Sequence, residues 1–336
     1  MNALTFKDFA TDQEVRWCPG CGDYAILKSV QRALADGGSD PANTVFVSGI
    51  GCSSRLPYYV ETYGFHTIHG RAPAFATGVK LANPDLDVWV VTGDGDGLSI
   101  GGNHLLHALR RNIDLNILLF NNEIYGLTKG QYSPTSRPGT NSPSSPVGSV
   151  ESPIDPGQFA MGAGATFFAR CVDIDQKGMP GIFNAAKDHE GTAFVEILQN
   201  CIVYNKDVFD DVAAKKTAAD NQVVVEHGQP MLYGKERDKG LKLNTETLAL
   251  EPVVIGENGI SIDDIQVHDE TNPRLAQMLL NLGPGRDDSA PTAMGIIHRR
   301  KAPVFDEQFW NIRPQERTKQ VKSLLRTGNL LDRRDS

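Results

Sequence analysis

The segment VVTGDGDGLSIGG, residues 90–102, places two carboxylates among five glycines directly after an apolar run. Glycine-rich backbone can approach phosphate oxygens closely, whereas the side chains of Asp94 and Asp96 would repel a phosphate. A Mg²⁺ ion removes this conflict, because it takes oxygen ligands and bridges carboxylates to substrate phosphates. In this interpretation Asp94 binds the metal ion, and the backbone amides of Gly95, Asp96 and Gly97 face the phosphate oxygens.

Two asparagines follow the next apolar run and offer further oxygen ligands. Asn122 stands 28 positions after Asp94, and the carbonyl of Ile124 could complete the share of ligands that the protein supplies. A GDG tripeptide by itself is more often an ordinary turn. GDG followed by a helix, a strand and two asparagines is a much more specific pattern.

The cysteines form a second candidate set of ligands. Cys18 and Cys21 make a CxxC motif, which by itself is compatible with a redox dithiol, half of a zinc site or part of an iron–sulfur site. Cys52 and Cys201 both follow the ends of predicted strands, so the four thiolates could meet near one edge of a sheet. Four cysteine ligands suit a 4Fe–4S cluster. Cys171 lies inside an apolar strand, where a buried thiol acting as a small hydrophobic side chain is favoured.

Alternating strands and helices must position these residues. The apolar pattern predicts strands over 44–51, 87–95, 114–122, 165–174 and 192–199, and helices over 23–35, 101–112 and 179–189. Asp23 is the expected N-cap of the first helix. This alternation is typical of an α/β fold with a mostly parallel sheet and helices on both faces. Ligands bind such sheets at the carboxyl ends of the strands, where the glycine and asparagine motifs fall.

Composition excludes several classes of protein. The chain has 336 residues, 40% of them hydrophobic and 22% charged, with a net charge of −8, which argues against a generic nucleic-acid binder. We find no apolar stretch near the ~20 residues that span a bilayer, and no hydrophobic signal core at the N-terminus. We therefore expect a cytoplasmic protein with no membrane contact, in which the five cysteines are reduced thiols or metal ligands.

The segment SPTSRPGTNSPSSPVGSVESP, residues 133–153, is rich in serine and proline. It is compatible with a mobile surface loop or with a segment that a ligand or partner orders. The chain after residue 205 has no clear pattern, and an extension that embraces a partner subunit is one interpretation of it.

Three segments together resemble the beta subunit of 2-oxoacid:ferredoxin oxidoreductases. They are WCPGCGDYAIL (17–27), GIGCSSRLPYYVETYGFHTIHGRAPAFATGVKLANP (49–84) and TGDGDGLSIGGNHLLHALRRNIDLNILLFNNEIYGLTKGQYSPTS (92–136). The resemblance covers residues 14–205. It implies the diphosphate-binding half of a thiamine diphosphate fold. Residues 1–205 would form that domain and carry the iron–sulfur ligands, and residues 206–336 would form a C-terminal extension that contacts a partner.

The resemblance implies the site residues one by one. Mg²⁺ would be held by Asp94, Asn122 and the carbonyl of Ile124. Thiamine diphosphate would be contacted by Ile50, Gly51, Cys52, Ser53, His69, Gly95, Asp96, Gly126 and Leu127. One 4Fe–4S cluster would be held by Cys18, Cys21, Cys52 and Cys201.

Two residues are candidates for a role in catalysis or substrate choice. His69 in HGRA would by itself be taken for a hydrogen-bonded core histidine, but its place in the matched segment implies contact with the coenzyme. Lys129 stands where pyruvate-type relatives often carry glycine. It could pair with the second carboxylate of 2-oxoglutarate, the alternative being a solvated loop lysine.

The implied reaction is the oxidative decarboxylation of a 2-oxoacid, with 2-oxoglutarate as the expected substrate. Coenzyme A and ferredoxin take part, the products are succinyl-CoA, CO₂ and reduced ferredoxin, and the reaction can run in reverse. An alpha subunit would supply the glutamate that faces the pyrimidine ring of the coenzyme, in a heterodimer or a dimer of heterodimers. The chain is therefore expected to be inactive alone.

Other functions remain open from the sequence. A pyruvate or broad-specificity enzyme of the same family fits most of the motifs, and a non-redox thiamine-dependent decarboxylase or synthase half would share GDG and the asparagines. A zinc-binding or electron-transfer module would explain only the cysteines. A phosphate-binding dehydrogenase is disfavoured, because no GxGxxG follows a strand with a suitably placed acid.

Overall fold

An eight-stranded sheet forms the centre of the molecule in the computed structural model, which describes residues 4–283 and 289–312. The strands stand in the order β2 (Tyr63–His66), β1 (Thr44–Ser48), β3 (Asp87–Gly93), β4 (Leu115–Asn121), β8 (Thr192–Leu198), β7 (Phe167–Val172), β13 (Thr292–Arg299) and β9 (Gln222–Val225). The first six are parallel, β13 runs antiparallel to β7, and β9 is parallel to β13.

Helices cover both faces of this sheet. They are α1 (Asp23–Asp36), α2 (Ala72–Ala82), α3 (Asp94–Leu98), α4 (Gly102–Arg111), α5 (Pro156–Gly162), α6 (Met179–Lys187), α7 (Asp210–Ala213), α8 (Ala218–Asn221), α9 (Pro273–Leu279) and α10 (Phe305–Asn311). One core layer packs α1 and α6 against Trp89 and Phe120 of the sheet, and the other packs α2, α4, α5 and α9 against residues such as Val90 and Leu119. The predicted fold class is confirmed.

Strands β1, β4 and β8 are buried on both faces, which explains their largely apolar sequences, whereas the edge strand β2 is exposed. The predicted strands generally extend one to three residues beyond the observed ones, because apolar patterns run into the following turns. The prediction of Asp23 as an N-cap was wrong. Gly22 is the N-cap of α1, and Asp23 is its first helical residue with a buried side chain.

The chain after residue 205 contributes to the same core. Strands β9 and β13 complete one edge of the sheet, and a small antiparallel sheet follows, made of β10 (Leu232–Tyr233), β11 (Lys239–Asn244) and β12 (Ala249–Val254). Its residues Leu241 and Leu250 pack in the same hydrophobic layer as α4. The division at residue 205 stays a prediction, but it does not coincide with an edge of the sheet. Residues 284–288 and 313–336 of the predicted extension lie outside the described residues.

Among the described residues, no helix combines the length and the apolar character that crossing a bilayer requires.

Candidate functional site

A cavity, here called the strand-end cavity, opens where β1, β3 and β4 end, as expected for a parallel sheet. The turn between β5 (Ile124–Tyr125) and β6 (Gln131–Tyr132) closes one side of it. The residues predicted to meet Mg²⁺ and the coenzyme all line this cavity: Ile50, Gly51, Cys52, Ser53, His69, Asp94, Gly95, Asp96, Asn122, Ile124, Gly126 and Leu127.

Asp94 is a buried carboxylate, only 2% exposed, at the wall of this cavity. Its Oδ2 accepts hydrogen bonds from the hydroxyls of Ser133 (2.5 Å) and Thr135 (2.6 Å). Burial raises the pKa of Asp94, although these hydroxyls and the amides of Gly95 and Asn122 oppose the rise. None of the described residues forms an ion pair with it. A buried carboxylate held only by neutral donors is a position where a cation would compensate the charge.

Asn122 and Ile124 line the same cavity as Asp94 and are hydrogen-bonded to each other. The backbone amide of Ile124 donates to Asn122 Oδ1 at 3.1 Å, and Asn122 Nδ2 donates to Gln199 Oε1 at 2.9 Å. The amide of Asn122 also lies against the Asp94 carboxyl. Carboxylate and amide oxygens at one place make a donor set that fits Mg²⁺.

The side-chain carboxylate of Asp96 is occupied by hydrogen bonds within the protein. Its Oδ1 accepts from the amides of Ile50 (3.1 Å) and Gly70 (2.7 Å), and its Oδ2 accepts from Thr92 Oγ1 (2.7 Å). A methyl group on Gly49 would lie 1.9 Å from Asp96 Oδ2, so only glycine allows this close approach. Asp96 therefore joins the loops at Ile50 and Gly70 to strand β3 in the cavity wall, and its backbone amide is the group left to meet a phosphate.

His69 and Lys129 differ in how close they lie to the cavity. His69 lines it, with 64% of its side chain exposed and Nδ1 3.9 Å from Asp96 Oδ1. Lys129 is exposed in the β5–β6 turn and does not itself line the cavity, whereas Leu127 and Thr128 do. Its φ of 75° is a left-handed conformation that glycine adopts more easily.

A second cavity of about 200 Å³, here called the cysteine cavity, is lined by Cys18, Cys21, Cys52 and Cys201. All four are free thiols. A methyl group on Gly126 would lie 3.6 Å from Cys201 Sγ and 3.7 Å from Cys52 Sγ, so these two sulfurs face the same short stretch of backbone. Cys171 is buried in β7 away from this cavity.

The thiols influence one another electrostatically. Burial and then the Asp23 carboxylate raise the pKa of Cys52 to about 12, with Cys201 and Cys18 adding to the rise. The same two leading causes raise the pKa of Cys21 strongly, and Cys201 and Cys52 contribute there as well. These thiols would ionise together only around a positive centre. In the described part of the chain, no group of three or more His, Cys, Asp or Glu side chains is arranged to hold a single metal ion.

The two cavities share a wall. Cys52, Asn122, Gly126 and Leu127 line both the strand-end cavity and the cysteine cavity. The indole Nε1 of Trp17 donates to the carbonyl of Cys52 at 2.7 Å and holds this wall from the cysteine side. Groups bound in the two cavities would therefore be neighbours.

Several residues of the site were missed from the sequence. Asp23 lines the strand-end cavity, and burial, followed by the nearby Asp173, raises its pKa to about 7. Ser133 and Thr135 belong to the serine-rich segment, which begins inside the site and only later reaches the surface, where Val147 is 95% exposed. The sequence offered one indication of these residues, which is that they lie near predicted site residues in the chain. Asp23 follows Cys21 by two residues, and Ser133 lies within the segment 92–136 that carries the resemblance.

Comparison with known families gives a match over residues 49–197 to the C-terminal TPP-binding domain of thiamine pyrophosphate enzymes. The chain is similar to the 2-oxoglutarate oxidoreductase subunit KorB of Mycobacterium tuberculosis, with 51% identity over 304 residues, 90% of this chain and 79% of that protein. It is also 50% identical over 189 residues to subunit beta of 2-oxoacid:ferredoxin oxidoreductase 1 of Aeropyrum pernix, covering 56% of this chain and 59% of that protein.

Among solved structures, the fold is similar to a chain of the 2-oxoglutarate:ferredoxin oxidoreductase from Magnetococcus marinus with 2-oxoglutarate, coenzyme A and succinyl-CoA bound. The TM-score is 0.76 at 33% sequence identity, and the match covers 96% of this chain and 97% of that chain. The likeness therefore extends over the C-terminal region as well as the two cavities.

Proposed function

Because the chain belongs to the family of 2-oxoacid:ferredoxin oxidoreductase beta subunits, we propose that it is the thiamine diphosphate subunit of an enzyme that oxidatively decarboxylates 2-oxoglutarate. Coenzyme A would take the succinyl group, CO₂ would leave, and the two electrons released would pass singly to ferredoxin. The observation that carries this proposal is the wall shared by the strand-end and cysteine cavities.

The strand-end cavity fits Mg²⁺ and the diphosphate of the coenzyme. Asp94, Asn122 and the carbonyl of Ile124 would hold the metal ion, whose charge compensates the buried carboxylate. The diphosphate would meet Gly95 and the amide of Asp96 on one side. Gly126 and Leu127 would meet it on the other, while Ile50, Gly51, Cys52, Ser53 and His69 line the rest of the coenzyme site.

The cysteine cavity fits one 4Fe–4S cluster held by Cys18, Cys21, Cys52 and Cys201. A cluster of four irons is wider than one ion, so its ligands lie further apart than those around a single metal. This explains how four cysteines can line one cavity without forming a site for a single ion. The buried thiols would lose their protons to the iron centre on assembly.

Thiamine diphosphate, when bound, supplies the carbanion chemistry that no side chain provides. The residues of this chain would orient it, with Asp94 and Asn122 anchoring its diphosphate end and Ile50–Ser53 lining its length. Cys52 would ligate iron while its neighbours touch the coenzyme, so an electron would travel only across the shared wall. This arrangement favours an oxidoreductase over a non-redox thiamine enzyme.

An exposed apolar surface around His69 supports a partner subunit. Tyr63, Phe65, Ile68, Phe75 and Ile100 are between 48% and 65% exposed, and they lie on the edge strand β2 and in the segments beside the strand-end cavity. Exposed apolar patches of this kind mark interaction sites. We propose that the alpha subunit covers this surface and brings its glutamate to the coenzyme, in a heterodimer or a dimer of heterodimers. A cytoplasmic location stays a prediction.

The proposed function predicts that the chain is inactive alone. When it is purified anaerobically with thiamine diphosphate and Mg²⁺, the chain should bind the coenzyme, the metal ion and the 4Fe–4S cluster. It should nevertheless fail to reduce a viologen dye when any 2-oxoacid and coenzyme A are supplied. Co-expression with the alpha subunit from the same host should give activity, highest with 2-oxoglutarate. Decarboxylation by the isolated chain would contradict the proposal that the alpha subunit supplies the glutamate for the coenzyme. A preference for pyruvate would contradict the proposed substrate.

We propose that Lys129 selects 2-oxoglutarate by pairing with its second carboxylate. A lysine in a left-handed turn costs backbone energy that glycine would not, which is consistent with a functional reason for keeping it. In the complete enzyme, Lys129→Gly should raise KM for 2-oxoglutarate about 10- to 100-fold, the range for a lost hydrogen bond to a charged group. The KM for pyruvate should change little.

Steady-state kinetics with both substrates measure this effect. Lys177→Gly, at another exposed turn position, is the matched control and should leave both KM values near those of the parent enzyme. Equal changes in the two KM values for Lys129→Gly would remove the proposed role.

A further inference from the structure

The side chain of Gln199 connects the two cavities. It follows β8, is 1% exposed, and its Oε1 accepts from Asn122 Nδ2 at 2.9 Å. Its Nε2 donates to the carbonyl of Asn200 at 2.8 Å and to Cys21 Sγ at 3.3 Å. One amide group thus contacts a proposed Mg²⁺ ligand on one side and a proposed cluster ligand on the other.

The orientation of this amide is determined by its partners. The carbonyl of Asn200 can only accept, so the nitrogen of Gln199 must point toward it, and the second hydrogen of that nitrogen is then directed to Cys21. The oxygen of Gln199 must accept from Asn122, which leaves the oxygen of Asn122 for Ile124 and the strand-end cavity. Both hydrogens and the oxygen of the Gln199 side-chain amide are therefore used.

We infer that Gln199 is a positioning residue that tunes the reduction potential of the cluster and orients Asn122 toward the metal ion; this inference rests on the proposed function. A hydrogen bond to a ligating sulfur stabilises the more negative, reduced form of a cluster and so raises its potential. The same residue fixes which end of the Asn122 amide faces the metal. A single side chain would therefore influence both the reduction potential of the cluster and the orientation of the metal ligand Asn122.

Two substitutions separate these contacts. Gln199→Glu keeps an oxygen that accepts from Asn122 but removes the donor to Cys21, and any carboxylate charge it carries opposes reduction of the cluster. Gln199→Leu, of similar size, removes both contacts. The control is Gln176→Glu, which makes the same chemical change at an exposed turn.

The test uses the complete enzyme with its alpha subunit, prepared anaerobically. A redox titration followed by electron paramagnetic resonance gives the cluster potential, and calorimetry gives the Mg²⁺-dependent affinity for thiamine diphosphate. Both Gln199 variants should lower the midpoint potential, by about 59 mV if the relative stability of the reduced cluster falls tenfold. Gln199→Leu should also weaken coenzyme binding about 10- to 100-fold, whereas Gln199→Glu should not.

An unchanged potential in either variant would overturn the inference, as would equal losses of coenzyme affinity in both. If a variant fails to fold, the parent enzyme still decides. Its glutamine side-chain amides can be labelled with ¹⁵N, and pulsed electron paramagnetic resonance of the reduced cluster should then detect a coupled amide nitrogen. The signal can be assigned because Gln199 is the one described glutamine that lines the cysteine cavity. Absence of this ¹⁵N coupling would contradict the inferred hydrogen bond between Gln199 and the cluster ligand Cys21. A parent enzyme without iron would instead contradict the proposed function.

Discussion

Replacing Asp94 with alanine is expected to abolish Mg²⁺-dependent binding of thiamine diphosphate and, with it, all decarboxylation by the complete enzyme. Asp94 is the buried carboxylate among the proposed Mg²⁺ ligands, and its side chain is held in place by Ser133 and Thr135. Loss of an outer partner of a metal ligand typically costs 10- to 100-fold in affinity, so losing the ligand itself should cost more than about 100-fold. Calorimetric titration of thiamine diphosphate at fixed Mg²⁺ measures this directly.

The stability of the variant separates loss of binding from loss of fold. Removing the carboxylate relieves the cost of a buried charge but also takes an acceptor from the hydroxyls of Ser133 and Thr135, so the ligand-free variant should have a stability close to that of the parent. The rise in melting temperature that Mg²⁺ and the coenzyme give the parent should disappear. Asp85→Ala, at an exposed position, is the control and should keep that rise. Retained coenzyme affinity in Asp94→Ala would show that the metal is held elsewhere.

Replacing Cys201 with alanine is expected to remove the cluster and to stop electron transfer to ferredoxin, while coenzyme binding survives. Cys201 lines the cysteine cavity but not the strand-end cavity, so its loss should act on only one of the two sites. The broad absorption near ~400 nm that is typical of cysteine-ligated iron–sulfur centres should be lost. Iron and sulfide analysis and visible absorption measure the loss of the cluster, ferredoxin reduction measures electron transfer, and coenzyme titration measures the retained binding.

Cys171→Ala is the matched control for this substitution. Cys171 is buried in β7 away from the other thiols, so its removal should leave the iron content unchanged and affect only packing. A full complement of iron in the Cys201 variant, or loss of iron in the Cys171 variant, would contradict the proposed ligand set.

Much of the site was predictable because its chemistry is concentrated at strand ends. Gly95, Asn122 and Cys52 each follow a buried strand, and parallel strands bring their carboxyl ends to one edge of a sheet. The cavity-lining positions were therefore accessible from local patterns together with the family resemblance. The strand bounds were less accurate, because apolar residues continue into the turns that form the cavity.

The supporting residues were not predictable for a different reason. Gln199 contacts Cys21 and Asn122, and Thr135 contacts Asp94, through hydrogen bonds between positions 41 to 178 residues apart in the chain. No local pattern encodes such contacts. Asp23 was misassigned because an acidic residue at the start of a helix is usually a cap, whereas here it faces the cavity and Gly22 takes the capping position.

The role of the C-terminal region was missed on the same grounds. Strand β13 pairs antiparallel with β7 and parallel with β9, and more than 60 residues separate β13 from β9 in the chain. Pairings across such distances depend on tertiary packing and leave no periodic signal in a single sequence. The chain after residue 205 therefore had to be described from the structure.

The most direct test of the central claim mixes the complete, cofactor-loaded enzyme with 2-oxoglutarate under anaerobic conditions without ferredoxin, and follows the cluster by absorption and electron paramagnetic resonance. Absorption near ~400 nm should fall and a reduced-cluster signal should appear as CO₂ is released, because the coenzyme and the cluster would meet across the wall that Cys52 and Gly126 help to form. Release of CO₂ with the cluster still oxidised would contradict this claim.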